Sequence, residues 1–220
     1  MTMRIVLFGA SGMIGQAVLR EALHDPDVAE VISVVRRASD ATDPKLREIV
    51  HASFDDFSAI AEQLTGCDAC LFCLGVSSAG MKEPEYKHIT YDVTLAAAKV
   101  LVGPELTFLY ITGVGTDSTE KGRSMWARVK GATENALLAM PFQAAYMIRP
   151  GYIQPRHGVK SRTPWTRRLY TALGWMYPLV RVLTKHAIAS DELGRAMLRV
   201  AKHGAPDKIL YSRDLRAMLA

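Results

Sequence analysis

Apolar runs and amphipathic stretches alternate along this chain. Continuous runs rich in Val, Ile and Leu occur at 3–9, 31–36, 48–53, 69–75, 106–112 and 143–149. A strand reads this way when helices cover both of its faces. The segments 12–24, 57–64, 84–102, 123–139, 165–184 and 190–203 place apolar residues at helical spacing, as Ile14, Val18 and Leu19 do in the first. A run of βα units with short right-handed crossovers predicts an α/β fold with a doubly wound parallel sheet. Residues 208–211 predict a short last strand, followed by a helical turn as part of a small helical C-terminal cap.

No repeat, low-complexity stretch or linker marks a second unit, so 1–220 reads as one domain, and 220 residues suffice for one sizeable core. Residues 154–165 hold Pro155, Gly158 and Pro164 and read as a crossover above a ligand site. With the segment that follows, 154–185 is expected to form a lid.

The turn between the first strand and first helix is Gly9-Ala10-Ser11-Gly12-Met13-Ile14-Gly15. Glycines here let the backbone turn sharply and approach a pyrophosphate, with the N–H groups of Met13 and Ile14 and the positive helix end facing its charge. The second strand ends in Arg36-Arg37, about 20 residues further on, where an NAD-preferring fold carries a carboxylate for the ribose hydroxyls. Two guanidiniums suit a 2′-phosphate instead, so the expected cofactor is NADP(H).

Net charge is +5, and residues 156–185 hold seven Lys and Arg without one Asp or Glu. An anionic cofactor or substrate nearby and a solvated basic face both account for that imbalance. Nucleic acid is not expected, because no recognition motif accompanies the charge. The most apolar stretch, 169–180, is too short to span a bilayer and contains Pro178. With no signal peptide evident, the expected location is cytoplasmic. Cys67, Cys70 and Cys73 form C-x-x-C-x-x-C, but residues three apart on a strand point to opposite faces. They read as small core hydrophobes, and no metal is expected.

The G-x-x-G-x-x-G turn resembles that of the extended and atypical short-chain dehydrogenase/reductases, the epimerase/dehydratase-like Rossmann proteins. The resemblance continues at Ser53 and Phe54 after the third strand, where relatives cradle adenine. Leu74 and Gly75 match the stretch passing the ribose. Arg149-Pro150-Gly151-Tyr152-Ile153 resembles the turn against the nicotinamide, implying cofactor contacts from Pro150, Gly151 and Ile153. Ser190, Asp191 and Glu192 resemble the family's helix start after the lid, with Ser190 as N-cap.

Family members carry Tyr and Lys as Y-x-x-x-K on one helix face, the Lys holding the ribose and the Tyr moving the proton. Here Lys130 takes the Lys position within V-K-G-x-x-E, but Trp126 stands at the Tyr position. An indole N–H donates without titrating usefully. Thr112 matches the first hydroxyl of the fifth strand's end and either replaces the missing second one, at Gly113, or caps the strand. Thr90 stands where many relatives place an Asn. Tyr86, Tyr91 and Tyr152 read chiefly as packing aromatics, with a replacement donor as their other reading. His88 and His157 lack a carboxylate partner fixed by sequence.

Two functions follow from the resemblance. One is an NADP-dependent reductase, epimerase or dehydratase-like enzyme with a non-standard proton donor, Lys130 and Thr112 being the catalytic candidates. The other is a noncatalytic NADP(H)-binding regulatory or redox-sensing protein. The sequence names no small-molecule substrate, and a homodimer is left open.

Overall fold

Seven parallel strands form the central sheet. The computed structural model describes residues 2–159 and 186–219. The strands are β1 (Met3–Phe8), β2 (Val28–Val35), β3 (Leu46–Val50), β4 (Ala69–Phe72), β5 (Thr107–Ile111), β6 (Ala144–Arg149) and, near the C-terminus, Ile209–Tyr211. Spatially they run β3-β2-β1-β4-β5-β6, with the C-terminal strand on the outer edge of β6. Every pairing is parallel. The order reverses between β1 and β4, and a doubly wound sheet opens a ligand crevice at that reversal, beyond the carboxyl ends of the strands.

Helix α1 (Met13–His24) follows β1 and buries Val18 and Ala22 against the sheet. The chain leaving β4 forms α2 (Glu83–Lys87), a π-helical turn over His88–Asp92, then α3 (Val93–Leu101). The single helix expected at 84–102 is therefore interrupted, and such π turns collect at functional sites. The segment expected as a helix at 57–64 is a 3₁₀ helix over Ser58–Leu64. Helix α4 (Met125–Leu138) follows β5.

Past β6, β7 (Ile153–Gln154) pairs in parallel with β8 (Ile188–Ala189), a small sheet the sequence reading missed. Two-residue strands carry too few positions to show a period. Helix α5 (Ser190–His203) packs against α1, and after β9, the Ile209–Tyr211 strand, the short α6 (Ser212–Ala217) supplies the helical C-terminus. Ser190 is not the N-cap of α5. That position is Ala189, whose N–H donates to the Glu192 carboxylate (3.0 Å), while the Ser190 hydroxyl accepts the N–H of Arg156 (3.0 Å). The helix expected at 165–184 and most of the lid expected at 154–185 lie outside the described residues.

Two apolar clusters occupy the two faces of the sheet. Ile5, Leu7, Val18 and Leu193 belong to one, and Val6, Phe8, Phe72 and Phe108 to the other. Cys70 packs in the second and Cys73 against the first, on opposite faces as their spacing requires, while Cys67, ahead of β4, also packs in the second. Burial pushes the thiols of Cys67 and Cys73 up to about 11 and about 12.

Candidate functional site

Gly9 has φ +83°, and a Cβ there would stand 2.6 Å from the backbone nitrogen of Leu74, so the turn needs glycine for both conformation and space. A Cβ on Gly15 would stand 2.0 Å from the carbonyl oxygen of Gly9, which seats α1 directly on the turn. Gly12 differs. Its backbone is extended (φ −81°, ψ 164°), and a Cβ there would meet only the Gly9 oxygen, at 3.3 Å. The close approach is left open on the outer side of the turn. No side chain caps α1, and its first turn holds no acidic residue. The N–H groups at Met13 and Ile14 thus begin the helix with its dipole uncompensated, as a phosphate-binding helix requires.

A cleft of about 640 Å³ opens beside this turn. It brings together Gly9, Ser11, Arg36, Arg37, Phe54 and Leu74, six of the residues expected to hold a nucleotide. Phe54 stands on Phe57 with ring centres 5.3 Å apart. Arg36 and Arg37 are exposed, and neither pairs with a carboxylate among the described residues. Ser53 does not line the cleft. Its hydroxyl accepts the N–H of Asp55 at 3.4 Å. Gly75 lies in open space, with nothing within 4 Å of a built Cβ.

Leu19, read from the sequence as a core position of the first helix, also lines the cleft, as do Ser39 and Glu48, which the sequence reading passed over. Glu48 comes from β3, and its carboxylate accepts both the N–H (2.8 Å) and the hydroxyl (2.9 Å) of Ser39. Nothing in local spacing shows this contact, because the two residues belong to different elements.

The second part of the site lies at the ends of β5 and β6. The ammonium of Lys130 donates to the carbonyl oxygen of Thr112 (2.9 Å), and burial brings it down to about 8, with Glu134 opposing that fall. The Trp126 ring lies against Gly115, where a Cβ would stand 3.3 Å from Cη2. Trp126 and Lys130 therefore share the face of α4 turned toward the loop after β5, as their spacing requires. Gly131 brings α4 onto that loop, since a Cβ there would stand 1.8 Å from the Asp117 oxygen.

The Thr112 hydroxyl is buried and contacts Glu134 Oε1 (2.6 Å) and the Ile148 carbonyl oxygen (3.1 Å). It stands in a buried polar network at the strand end. Glu134 is fully buried and pairs with Arg149, whose Nε donates to Oε1 at 3.0 Å. Arg149 also reaches the hydroxyls of Ser118 and Tyr211. Glu134 and Arg149 carry family motifs, but their pairing across 15 residues was not foreseen.

Pro150 accepts the N–H of Val114 (3.0 Å) through its carbonyl, fixing the turn after β6 against the loop after β5. Gly151 is close-packed, for a Cβ there would stand 2.5 Å from the His186 oxygen. Ile153 is buried in the core and pairs with Ile188, so it supports this turn from behind.

Tyr86 is buried, which raises its phenol, and Tyr152 donates to Gln154 Oε1 (2.7 Å). Lys87 stands over the Tyr91 ring. The fold brings carboxylates to both histidines: His88 lies 3.0 Å from Asp55, and His157 lies 3.7 Å from Asp191, while Asp92, 3.5 Å from His88, is a local partner four residues on.

The NAD(P)H-binding family matches residues 9–150, from the first glycine of the turn to the proline after β6. The chain belongs to the NAD(P)H-binding family. A mitochondrial protein named fmp52 from Emericella nidulans is 28% identical over 202 residues, spanning 87% of this chain and 84% of its own. Its Candida albicans namesake is 21% identical, spanning 92% and 89%. A short-chain dehydrogenase/reductase from Saccharomyces cerevisiae shares the fold, with TM-score 0.63 and 16% identity over 98% of both chains. The family membership supports a nicotinamide cofactor, and the neighbouring solved structures share the Rossmann-like fold. The expectation of a cytoplasmic protein is corrected by the fungal relatives, which are named as mitochondrial. Among the described residues, no helix is long and apolar enough to cross a membrane.

Proposed function

We propose that this chain is an NADP(H)-dependent reductase of the atypical short-chain type that works without the family's tyrosine. The observation that carries the reading is the cleft beside the glycine turn, where the unpaired Arg36 and Arg37 stand at the end of β2. A 2′-phosphate is a dianion near neutral pH, and paired guanidiniums bind it through charge-assisted hydrogen bonds. The residues fit the rest of the cofactor as well. Gly12 leaves room for the pyrophosphate at an uncapped helix end, and Phe54 and Leu74 offer apolar surface for adenine.

A reduced nicotinamide, when bound, supplies a hydride. The chain's own residues position and protonate. Lys130 is anchored to the end of β5 and retains further N–H donors for ribose hydroxyls. Trp126 shields the same face, while the Thr112 hydroxyl is engaged elsewhere. Lys130 Nζ is therefore the titratable group we assign the proton that reaches the substrate oxygen as hydride reaches carbon. Brought down to about 8, it gives up a proton more readily than an exposed lysine does.

The committed Thr112 hydroxyl and the packed Trp126 ring also favour a second reading, a noncatalytic NADP(H)-binding regulatory or redox-sensing protein. Calorimetric titration with NADPH and NADH, followed by NADPH consumption against a panel of carbonyl compounds and nucleotide sugars, separates these readings. Tighter binding of NADPH, erased in Arg36→Ala/Arg37→Ala, with turnover of a panel member supports the reductase. The same preference without turnover supports the second reading. A preference for NADH unaffected by Arg36→Ala overturns the NADP assignment.

A further inference from the structure

Beyond β2 the chain runs Arg36-Arg37-Ala38-Ser39 over the cleft, and all four residues are exposed. Two arginines on an unsupported turn would sweep a wide volume, and freezing them around a ligand would cost side-chain entropy. This turn is supported. The Glu48 carboxylate rises from β3 and accepts both donors of Ser39, N–H at 2.8 Å and Oγ–H at 2.9 Å, while Ser39 Oγ accepts the N–H of Ala41 at 3.2 Å. Glu48 is itself held firmly, because β3 and β2 are in register there, with Glu48 opposite Ser33. The clamp thus ties the turn's last residue to the sheet.

A carboxylate in this cleft would be expected to claim the arginines or to take the ribose hydroxyls. Here each carboxylate oxygen accepts one donor of Ser39, and Arg36 and Arg37 make no ion pair with it. The neighbouring charges are also drawn off. Arg47 pairs with Glu30, which pairs in turn with Arg4.

We propose that Glu48 is a positioning residue for phosphate recognition, clamping Ser39 so that Arg36 and Arg37 face a phosphate on the adenosine 2′-oxygen. The inference deepens the NADP(H) reading above and rests on it. Glu48 does not touch the ligand in this account. It sets discrimination between 2′-phosphorylated and unphosphorylated adenosine nucleotides, leaving affinity for the shared adenosine 5′-phosphate portion alone.

The test uses adenosine 2′,5′-bisphosphate and adenosine 5′-monophosphate as probes, titrated calorimetrically into the full chain and its Glu48→Ala, Glu48→Gln and Ser39→Ala variants. Circular dichroism confirms that each variant is folded, and Glu48→Gln preserves side-chain volume if Glu48→Ala does not fold. The wild type should prefer the bisphosphate. Glu48→Ala should lose about tenfold of that preference, the scale of one charge-assisted hydrogen bond, with monophosphate affinity unchanged. Glu48→Gln, which keeps one acceptor for Ser39 N–H, should fall between. Ser39→Ala should also lower the preference, and adding it to Glu48→Ala should change little further, since both break one clamp. Equal weakening of both probes would overturn the proposal, since Glu48 would then serve the ribose or the fold. A gain in bisphosphate affinity in Glu48→Gln would also overturn it, showing plain charge repulsion. A preference in the wild type that survives Glu48→Ala sinks the clamp alone, whereas no preference in the wild type sinks the NADP(H) reading with it.

Discussion

Lys130 Nζ donates to the carbonyl oxygen of Thr112 across 2.9 Å, so its ammonium is tied to the end of β5. On the proposed reading, the lysine is thereby positioned before a ribose arrives and loses little side-chain freedom on binding. Lys130→Ala should weaken NADP(H) binding by about 1–3 kcal/mol, the range for hydrogen bonds involving a charged group. Calorimetric titration reads this directly. An unchanged affinity would remove Lys130 from the site.

The same burial makes binding sensitive to pH. Lys130 sits at about 8 against an ordinary value of 10.5. Between those values the unfolded chain holds more protons than the folded one, so this group's contribution to stability rises with pH across that window. Cofactor binding, which on the proposed reading uses the ammonium, should run the opposite way. NADP⁺ affinity should weaken as pH rises through about 8, and Lys130→Met should flatten that part of the profile.

Gly12 and Gly15 stand three residues apart and should answer substitution differently. Gly12 has an extended backbone that any residue adopts, and a Cβ there would meet a single tight neighbour, the Gly9 oxygen at 3.3 Å, so Gly12→Val should still fold by circular dichroism. Its side chain would block the approach of a pyrophosphate, so NADP(H) binding should be lost. Gly15→Ala forces a Cβ against the Gly9 oxygen and should lower stability by about 1–3 kcal/mol in chemical denaturation.

Glu134 and Arg149 are buried together, and removing one partner strands the other's charge. Glu134→Ala should cost about 3–5 kcal/mol of stability, whereas Glu134→Leu/Arg149→Met should cost clearly less. Urea denaturation of the single and double variants decides this. Additive losses would show that the two do not act as a pair.

Trp126 packs on the loop after β5 one helical turn before Lys130. Trp126→Tyr puts a phenol where the family carries one and should raise NADPH-dependent carbonyl reduction. Trp126→Phe should leave the wild-type rate nearly unchanged. Loss of activity in Trp126→Phe would show that the indole itself takes part.

Much of this protein is determined locally and could be read from its sequence. Continuous apolar runs specify buried parallel strands, because alternation vanishes when both faces of a sheet are covered. The glycine turn is equally local: Gly9 and Gly15 meet within seven residues, so the same stretch encodes both the turn and the helix that closes on it. Arg36, Arg37, Phe54 and Leu74 could be placed in one cleft because strand order alone brings the ends of β1, β2, β3 and β4 together. The tertiary structure decided what depends on two elements meeting. Whether Thr112 offers its hydroxyl outward turned on Glu134, 22 residues away, and on the Ile148 oxygen in the adjacent strand. Glu48 reads as one more polar residue on an edge strand until Ser39 closes on it from the preceding loop. Hydrophobic period reports which face a side chain occupies, but a buried polar group is satisfied by partners that packing supplies, and packing is not written at any fixed spacing along the chain.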